Sequence, residues 1–248
     1  MLHAVSSGWF AVVIRRACRF YSVDKMVNLD QIINIWKNAD AVTFDVDSTV
    51  TREEGIDELA HFCGKGEQIC ELTKQAMQGD MTFQQSLSMR LHIINPSLTQ
   101  VKEFLDTHQS KLTNGIKELV SALQACGKHV FLVSGGFHCL IAPIALQLNI
   151  PPENIYANRL KFYFTGEYAG FDENQPTSRS GGKAEVIEYL KKQKGFKNIV
   201  HIGDGSTDLE ASPPADAFIG FGGNVIRESV KARAQWFVMN FDDLRRSL

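Results

Sequence analysis

The chain has 248 residues, of which 44% are hydrophobic and 22% are charged, and its formal net charge is −2. These fractions are typical of a folded globular protein, and they exclude disordered, collagen-like and disulfide-scaffold classes. A charge this close to neutral gives no support for binding to nucleic acids or membrane surfaces, which require an excess of basic residues.

The first 23 residues differ in composition from the rest of the chain. They contain three arginines and several serines, and no acidic residue precedes Asp24. An Arg-rich, acid-free and amphipathic segment is typical of an organelle presequence, and a disordered extension fits the same residues equally well. We expect an N-terminal extension over residues 1–23 and a cytoplasmic location, with mitochondrial targeting through residues 1–21 as the alternative. The longest apolar run, residues 9–14, is too short to span a bilayer.

Five short apolar runs predict the strands of a buried sheet. They are rich in β-branched and aromatic residues and lack strict alternation, as strands buried on both faces do. The runs are residues 41–44, 130–133, 199–202, 217–219 and 236–239. Helical spacing of apolar residues lies between several of them, for example over residues 116–123 and 186–190. Strands that alternate with helices predict an α/β fold with a doubly wound parallel sheet.

Two segments depart from this alternation. Residues 57–110 have helical apolar spacing and no strand signal, which predicts a helical cap inserted after the first strand. The segment from about residue 158 to residue 172 predicts a small β-hairpin with a two-residue turn at residues 165–166. The predicted core domain therefore comprises residues 24–56 and 111–248.

The cysteines and histidines give no sign of a metal or redox site. The five cysteines are odd in number and none has the spacing of a Cys-x-x-Cys or zinc motif, so free thiols are expected. We expect His138 on a helix surface. No partner is indicated by spacing for the histidines His61, His92, His108, His129 and His201.

Polar residues follow three of the predicted strands and begin one predicted helix. They are Asp45, Asp47, Ser134, Gly135, Gly136, Lys183, Asp204 and Asp208. In an open α/β sheet, ligands bind outside the carboxyl ends of the strands, so we expect these residues to meet at one edge of the sheet.

The residue types at this edge are those of metal-assisted phosphoryl transfer. Crowded carboxylates repel one another unless a cation lies among them, and a small set of oxygen ligands favours Mg²⁺. Ser134, Lys183 and glycine N–H groups can donate to phosphate oxygens. Asp45 as nucleophile, with Asp47 to handle protons, suits covalent phosphoryl transfer. A calcium loop is excluded, because its sixth and twelfth positions hold Val50 rather than Gly and Ile56 rather than Glu.

These residues resemble the motifs of a known family. Residues 44–50 resemble the first motif of the haloacid dehalogenase superfamily of phosphotransferases. Residues 134–136, Lys183 and residues 203–208 resemble its second, third and fourth motifs, in order. Further segments resemble the animal phosphoserine phosphatases, namely residues 52–59, 133–137, 158–162, 170–173 and 218–227. The resemblance runs from about residue 30 to about residue 240.

The resemblance implies a Rossmann-like haloacid dehalogenase core that hydrolyses O-phospho-L-serine to L-serine and phosphate, the last step of serine biosynthesis. It implies that Asp45 forms an aspartyl phosphate and that Asp47 protonates the departing serine oxygen and then activates water. Mg²⁺ would be held by Asp45, the backbone carbonyl of Asp47, and Asp204. The implied substrate-binding residues are Glu54, Met77, Arg90, Ser134, Gly135, Gly136, Lys183 and Thr207.

Within that set, Glu54 would meet the ammonium of the substrate and Arg90, on the cap, its carboxylate. Met77 would line the pocket. Gln78 departs from the family pattern, in which a glycine stands at this position, and this leaves the packing of the cap beside the pocket open.

Two other functions compete with this interpretation. One is a phosphatase or phosphotransferase that acts on another small phosphomonoester. Glu54 and Arg90 argue against it, because their two opposite charges suit a zwitterionic substrate. The other is a phospho-accepting signalling domain, which needs a long-lived aspartyl phosphate and gains nothing from Asp47 or from a cap. We expect a small-molecule substrate, phosphoserine, as the partner, with no nucleic acid and no membrane, and with a homodimer left open.

Overall fold

The computed structural model describes residues 29–76 and 82–248. The predicted N-terminal extension, Met77 and Gln78 lie outside the described residues. Helix α1 (Leu29–Lys37) leads into strand β1 (Ala41–Phe44). The inserted helices that follow are α2 (Gly55–Phe62), α3 (Gly66–Ala76), α4 (Phe83–Ile94) and α5 (Leu98–Thr107).

After the insertion the chain alternates between helices and strands. The first elements are α6 (Ile116–Ala125), β2 (His129–Phe137), α7 (His138–Gln147), β3 (Ile155–Asn158), β4 (Leu160–Phe162) and β5 (Tyr168–Phe171). They are followed by α8 (Gly182–Lys194), β6 (Ile199–Gly203), α9 (Ser206–Leu209), β7 (Ala217–Phe221), α10 (Glu228–Lys231), β8 (Trp236–Val238) and α11 (Phe241–Arg246). No helix among the described residues has the length and apolar character needed to cross a bilayer.

The main sheet confirms the predicted α/β class. Its strands run in the order β3-β2-β1-β6-β7-β8, and every pairing is parallel. The chain leaves β1 towards β2 on one side and returns to β6 on the other. The carboxyl ends of β1, β2 and β6 therefore border the switch point at which ligands bind in such sheets.

Apolar side chains cover both faces of the sheet. On one face Val42 and Phe44 pack with α1, α6, α7 and α11. On the other face Ala41, Phe131 and Ile199 pack with the buried residues Val186, Ile187 and Leu190 of α8. Because side chains alternate along a strand, Thr43 and His201, which are paired in the register of β1 and β6, belong to the α8 face.

Two strand predictions differ from the structure. Strand β3 is absent from the sequence prediction. It has only four residues and lies at the edge of the sheet, so its sequence contains no long apolar run that would indicate a strand. Strand β2 continues to Phe137 instead of ending at Val133, and a register shift accommodates the serine and glycines between those two residues.

The predicted β-hairpin is present as β4 and β5, but its turn is longer than expected. Tyr163 N donates to Glu167 O at 2.9 Å, and Gly166 N donates to Tyr163 O at 2.9 Å. The chain therefore turns through Phe164 and Thr165, and Gly166 completes the loop with a φ of 91°. A turn followed by a residue in the left-handed region is the common three-residue hairpin, and glycine adopts that φ without strain.

Capping motifs in the sequence mark where two of the inserted helices, α4 and α5, begin. Thr82 and Gln85 form a reciprocal capping box at α4, and Ser97 and Gln100 form another at α5. The apolar faces of these helices make a second core with the end of β2. Its members include Leu59, Leu87, Leu91, Phe104 and Phe137.

The two chain segments that join the insertion to the sheet run side by side. Arg52 N donates to Lys111 O at 2.9 Å, and Thr51 and Leu112 form an antiparallel bridge. Next to them, Glu53 Oε1 lies 3.0 Å from His108 Nε2. His108 therefore has a partner that its spacing in the sequence did not indicate.

Candidate active site

A cavity of about 290 Å³ lies at the carboxyl ends of β1, β2 and β6, beside α4. Most of the residues predicted for the site line it. They are Asp45, Asp47, Glu54, Arg90, Gly135, Gly136, Lys183, Asp204 and Thr207. The sheet therefore brings residues that are up to 162 positions apart in the sequence into one concave site, as the strand-end rule predicts.

Asp45 follows β1 directly and is 8% exposed. Its Oδ1 accepts from the N–H of Val46 at 2.7 Å and lies 2.8 Å from Lys183 Nζ. Burial and the nearby carboxylate of Asp208 raise the pKa of Asp45 well above its usual range. The side chain of Asp45 is thus in a poorly solvated position, with its Oδ1 close to a cation.

Lys183 lies in the first turn of α8 and is buried. Its Nζ donates to Asp208 Oδ1 at 2.6 Å in addition to its contact with Asp45. Burial alone would lower the pKa of Lys183, but the two carboxylates outweigh burial and raise it above its usual value. Lys183 is therefore a fixed positive charge at the cavity wall.

Asp208, on α9, is fully buried and accepts several hydrogen bonds. Besides Lys183, His201 Nε2 lies 2.8 Å from Asp208 Oδ1, and Gly205 N donates to Oδ2 at 2.9 Å. Burial would raise the pKa of Asp208, but Lys183 and His201 lower it below the usual range. Asp208 therefore stays ionised and anchors the lysine.

Asp204 follows β6 and is held through both oxygens. Thr49 Oγ1 donates to its Oδ1 at 2.9 Å, and Arg227 Nε donates to its Oδ2 at 2.9 Å. Burial nevertheless raises the pKa of Asp204. The carboxylate is thus oriented by a hydroxyl and a guanidinium at the edge of the cavity.

The carboxylates of Asp45, Asp204 and Asp208 form a cluster that could hold a metal ion. One oxygen from each lies within 4.8 Å of the other two, and all three residues are buried. The raised pKa values of Asp45 and Asp204 have burial as their largest cause and the neighbouring carboxylates as a further one. An all-oxygen, strongly negative donor set of this kind fits a small divalent cation.

Asp47 lies two residues beyond Asp45 and faces the same cavity. Its Oδ1 accepts from the N–H of Gly55 at 2.8 Å. Burial, reinforced by the carboxylate of Glu54, raises the pKa of Asp47 from 3.8 to about 7. A carboxyl group with this pKa can both give and take a proton near neutral pH.

Glu54 is oriented by two polar neighbours at the start of α2. Ser48 Oγ donates to Glu54 Oε1 at 2.7 Å, and Arg227 Nη2 lies 3.7 Å from the same oxygen. Burial raises the pKa of Glu54. Glu54 therefore adds a further carboxylate to the cavity, at the point where α2 begins.

The loop after β1 has an uncommon conformation that a distant side chain stabilises. Ser48 has a φ of 56°, in the left-handed region that residues other than glycine seldom adopt. Asn224 Nδ2 donates to Ser48 O at 3.0 Å and to Thr51 O at 3.1 Å. The side-chain amide thereby fixes the loop that carries Asp47 and leads to Glu54.

Ser134 does not line the cavity, whereas Arg90 reaches it from the inserted helices. Ser134 is fully buried behind the cavity wall, where its Oγ accepts from Gly136 N at 2.9 Å. Arg90 projects from α4, with Nη1 3.9 Å from Asp57 Oδ1. Met77 lies outside the described residues.

Sequence reasoning missed two side chains at the site. Arg227 lines the cavity and contacts both Asp204 and Glu54, although it stands in a segment that carries the family resemblance. His201, for which no partner was expected, is fully buried between Thr43 and Asp208. The available signal was its position in the strand that leads to Asp204, where a histidine stands within an otherwise apolar run.

Comparison with known proteins agrees with this geometry. The family model described as haloacid dehalogenase-like hydrolase matches residues 39–216. A phosphoserine phosphatase of Bos taurus is 56% identical over 223 residues, which cover 90% of this chain and 99% of the relative.

Solved structures of this family are also similar to the chain in fold. A phosphoserine phosphohydrolase-like protein of Francisella tularensis superimposes with a TM-score of 0.72 at 31% identity, over 84% of this chain and 98% of that one. A substrate-bound phosphoserine phosphatase complex superimposes with a TM-score of 0.73 at 26% identity, over 85% of this chain and 99% of that one. The similarity extends over the sheet and the inserted helices together.

Proposed function

The chain belongs to the phosphoserine phosphatases of the haloacid dehalogenase-like hydrolase family, and on that premise we propose that it hydrolyses O-phospho-L-serine to L-serine and phosphate through an aspartyl phosphate, as the last step of serine biosynthesis. The observation that carries this proposal is the pairing of Asp45 with Lys183 at 2.8 Å, beside Asp47 with a pKa of about 7. Nucleophile, phosphoryl-binding cation and proton donor thus share one cavity.

In the first step an oxygen of Asp45 attacks phosphorus, and the bond from phosphorus to the serine oxygen breaks. Lys183 and the N–H group of Gly135 would hold the phosphoryl oxygens. The N–H of Gly136 already donates to Ser134 Oγ, and this bond would orient the glycine segment at the cavity wall. Thr207, at the opposite wall, would contribute a further hydroxyl. Fixed donors of this kind stabilise charge that develops in the transition state.

Asp47 would transfer the protons. In the first step it donates a proton to the departing serine oxygen. In the second step its carboxylate takes a proton from the water that attacks the phosphoryl group, which releases phosphate and restores Asp45. One residue can perform both tasks because its pKa of about 7 leaves both protonation states populated at neutral pH.

The residues present fit the Mg²⁺ that the family implies. Asp45, Asp204 and the backbone carbonyl of Asp47 would hold the ion, with Asp208 supporting this group of residues. When bound, Mg²⁺ neutralises charge on the phosphoryl oxygens and on the clustered carboxylates. Arg227 and Thr49 keep Asp204 oriented towards this position.

The two ends of the cavity would recognise the amino-acid part of the substrate. Glu54 lies on the core side, where it can meet an ammonium, and Arg90 lies on the inserted helix α4, where it can meet a carboxylate. Burying either charge of the substrate without a partner would cost several kcal/mol. We therefore propose that residues 57–110 act as a cap and that the substrate carboxylate favours its closure.

The experiment that tests this function measures phosphate release from phosphoserine, p-nitrophenyl phosphate and a panel of sugar phosphates. Arg90→Ala and Glu54→Ala should each reduce kcat/KM for phosphoserine by about 100-fold, since each leaves a substrate charge unpaired. Both should change the rate with p-nitrophenyl phosphate far less, because that ester carries neither charge. The exposed residues Arg233 and Glu103, each changed to Ala, are the matched controls.

The outcome separates the competing functions. Equal losses on both esters would show that Glu54 and Arg90 have structural roles, and they would remove the argument for an amino-acid substrate. A sugar phosphate hydrolysed faster than phosphoserine would assign the cavity to another phosphomonoester. A long-lived phosphorylated protein without turnover would assign it to a signalling domain.

A further inference from the structure

One buried polar residue has no part in the steps above. His201 is fully buried in β6, on the face of the sheet that α8 covers. Its Nδ1 lies 2.8 Å from Thr43 Oγ1, and its Nε2 lies 2.8 Å from Asp208 Oδ1. Both ring nitrogens therefore have partners, in a region where a polar group without one would be strongly destabilising.

The partners determine which ring nitrogen carries the proton. Asp208 is ionised and can only accept, so Nε2 must be the donor. Nδ1 then accepts from the hydroxyl of Thr43. Burial disfavours the charged ring and lowers the pKa of His201. Asp208 thus selects the tautomer with the proton on Nε2, and the hydroxyl of Thr43 is the partner of Nδ1.

The carboxylate of Asp208 is confined on several sides. Oδ1 accepts from His201 and from Lys183, and Oδ2 accepts from Gly205 N. A Cβ at Gly203 would lie 2.2 Å from Asp208 Cγ, so the carboxylate lies directly against the backbone at the end of β6. His201 supplies the donor on the side away from the cavity, and it opposes any movement of Oδ1.

The position of Asp208 in turn orients Lys183. A lysine ammonium has three N–H groups in a tetrahedral arrangement. Bonds to Asp208 Oδ1 and Asp45 Oδ1 fix the directions of two of them. The direction of the third is then determined, so the position of Asp208 decides where this N–H group points from Lys183, which lines the cavity.

We propose that His201 is a positioning residue, which acts through Asp208 to aim Lys183 at the phosphoryl group of the substrate. This inference rests on the proposed function only in that Lys183 contacts a phosphoryl group. The effect of His201 should therefore be the same for every phosphate ester, whatever its leaving group.

The test compares His201→Leu, His201→Gln and Thr43→Val, with Ile199→Val as the matched control. Ile199 is buried on the same face of β6, but it belongs to the apolar cluster under α8. Leu removes the donor to Asp208, Gln can present an amide N–H in its place, and Val removes the hydroxyl that is the partner of Nδ1. Each variant is assayed well below its own melting temperature, so that unfolding does not contribute.

We expect His201→Leu to lower kcat/KM about 10-fold or more with both phosphoserine and p-nitrophenyl phosphate, which matches the loss of one hydrogen bond to a charged group. Thr43→Val should lower it to a smaller extent. His201→Gln should recover most of the loss, and Ile199→Val should lower the melting temperature without changing kcat/KM. The inhibition constant of inorganic phosphate should rise in His201→Leu, because phosphate uses the same lysine.

Three results would overturn the proposal. They are an unchanged kcat/KM in folded His201→Leu, a loss confined to phosphoserine, and a Gln variant no better than the Leu variant. The measurements with p-nitrophenyl phosphate and inorganic phosphate stand even if the wild-type enzyme proves inactive on phosphoserine. Failure of the substrate assignment and failure of this inference can therefore be told apart.

Discussion

The pKa of Asp47 leads to a quantitative prediction about the pH dependence of catalysis. Burial and the carboxylate of Glu54 raise this pKa from 3.8 to about 7. With the raised value, roughly nine tenths of the Asp47 carboxyl groups carry a proton at pH 6, whereas less than about 1% would do so with the ordinary value. The structure thus keeps a proton on Asp47 at a pH at which an exposed aspartate is almost fully ionised.

The sign of the effect follows from the direction of the shift. The protonated form of Asp47 is present below a pH of about 7 and is lost as the pH rises through that value. Because kcat/KM reports the free enzyme up to the first irreversible step, it should fall about tenfold for each pH unit above 7 with phosphoserine. The decrease should be weaker with p-nitrophenyl phosphate, whose leaving group needs no proton.

The variant that tests this prediction is Asp47→Asn. Its Oδ1 can still accept from Gly55 N, so the local fold should be retained. We expect a loss of about 10²- to 10⁴-fold in kcat with phosphoserine, a smaller loss with p-nitrophenyl phosphate, and no alkaline decrease. Asp106→Asn, at an exposed position, is the control. An Asn variant that keeps the same pH profile, or that loses both substrates equally, would refute the role of Asp47 in proton transfer.

The remaining predictions concern the nucleophile, the metal and the cellular location of the protein. Asp45→Asn should abolish turnover of phosphoserine and the burst of phosphorylated protein seen on acid quenching; substantial turnover by a folded variant would contradict this. Removal of divalent cations with EDTA should abolish phosphate release and Mg²⁺ should restore it, whereas full activity in EDTA would argue against a metal at the carboxylate cluster. We propose a cytoplasmic location, with mitochondrial targeting as the alternative, and expect residues 1–30 fused to a fluorescent reporter to show which applies: a diffuse signal supports the cytoplasm, and a mitochondrial signal supports the presequence.

Most of the sheet could be predicted from the sequence, because its central strands are buried on both faces and so appear as continuous apolar runs. Strand β3 could not, since it pairs with β2 alone and its four residues include a tyrosine and an asparagine. The extension of β2 through Ser134, Gly135 and Gly136 was missed for a similar reason. Serine and glycine are typical of loops, and it is the pairing of Phe137 with Asn158 that keeps them in the strand.

The sequence predicted which residues belong to the site better than it predicted the contacts between those residues. The strand-end rule is enough to place Asp45, Asp204 and Lys183 together, because topology alone brings those positions to one edge. The pairing of Thr43 with His201 depends on the register between β1 and β6, which join segments 158 residues apart. No local periodicity encodes such a register, so the buried histidine had no visible partner before the fold was known.

The side-by-side segments at Thr51 and Leu112 affect which parts of this protein can vary during evolution. In topological terms the inserted helices are one long loop between β1 and α6, and the hydrogen bond from Arg52 N to Lys111 O already holds its two ends together. The entropy of closing such a loop grows only slowly with its length, by about 0.6 kcal/mol for each doubling. The inserted segment can therefore change in length between these two points at little cost in chain entropy, and substrate choice can diverge while the sheet stays the same.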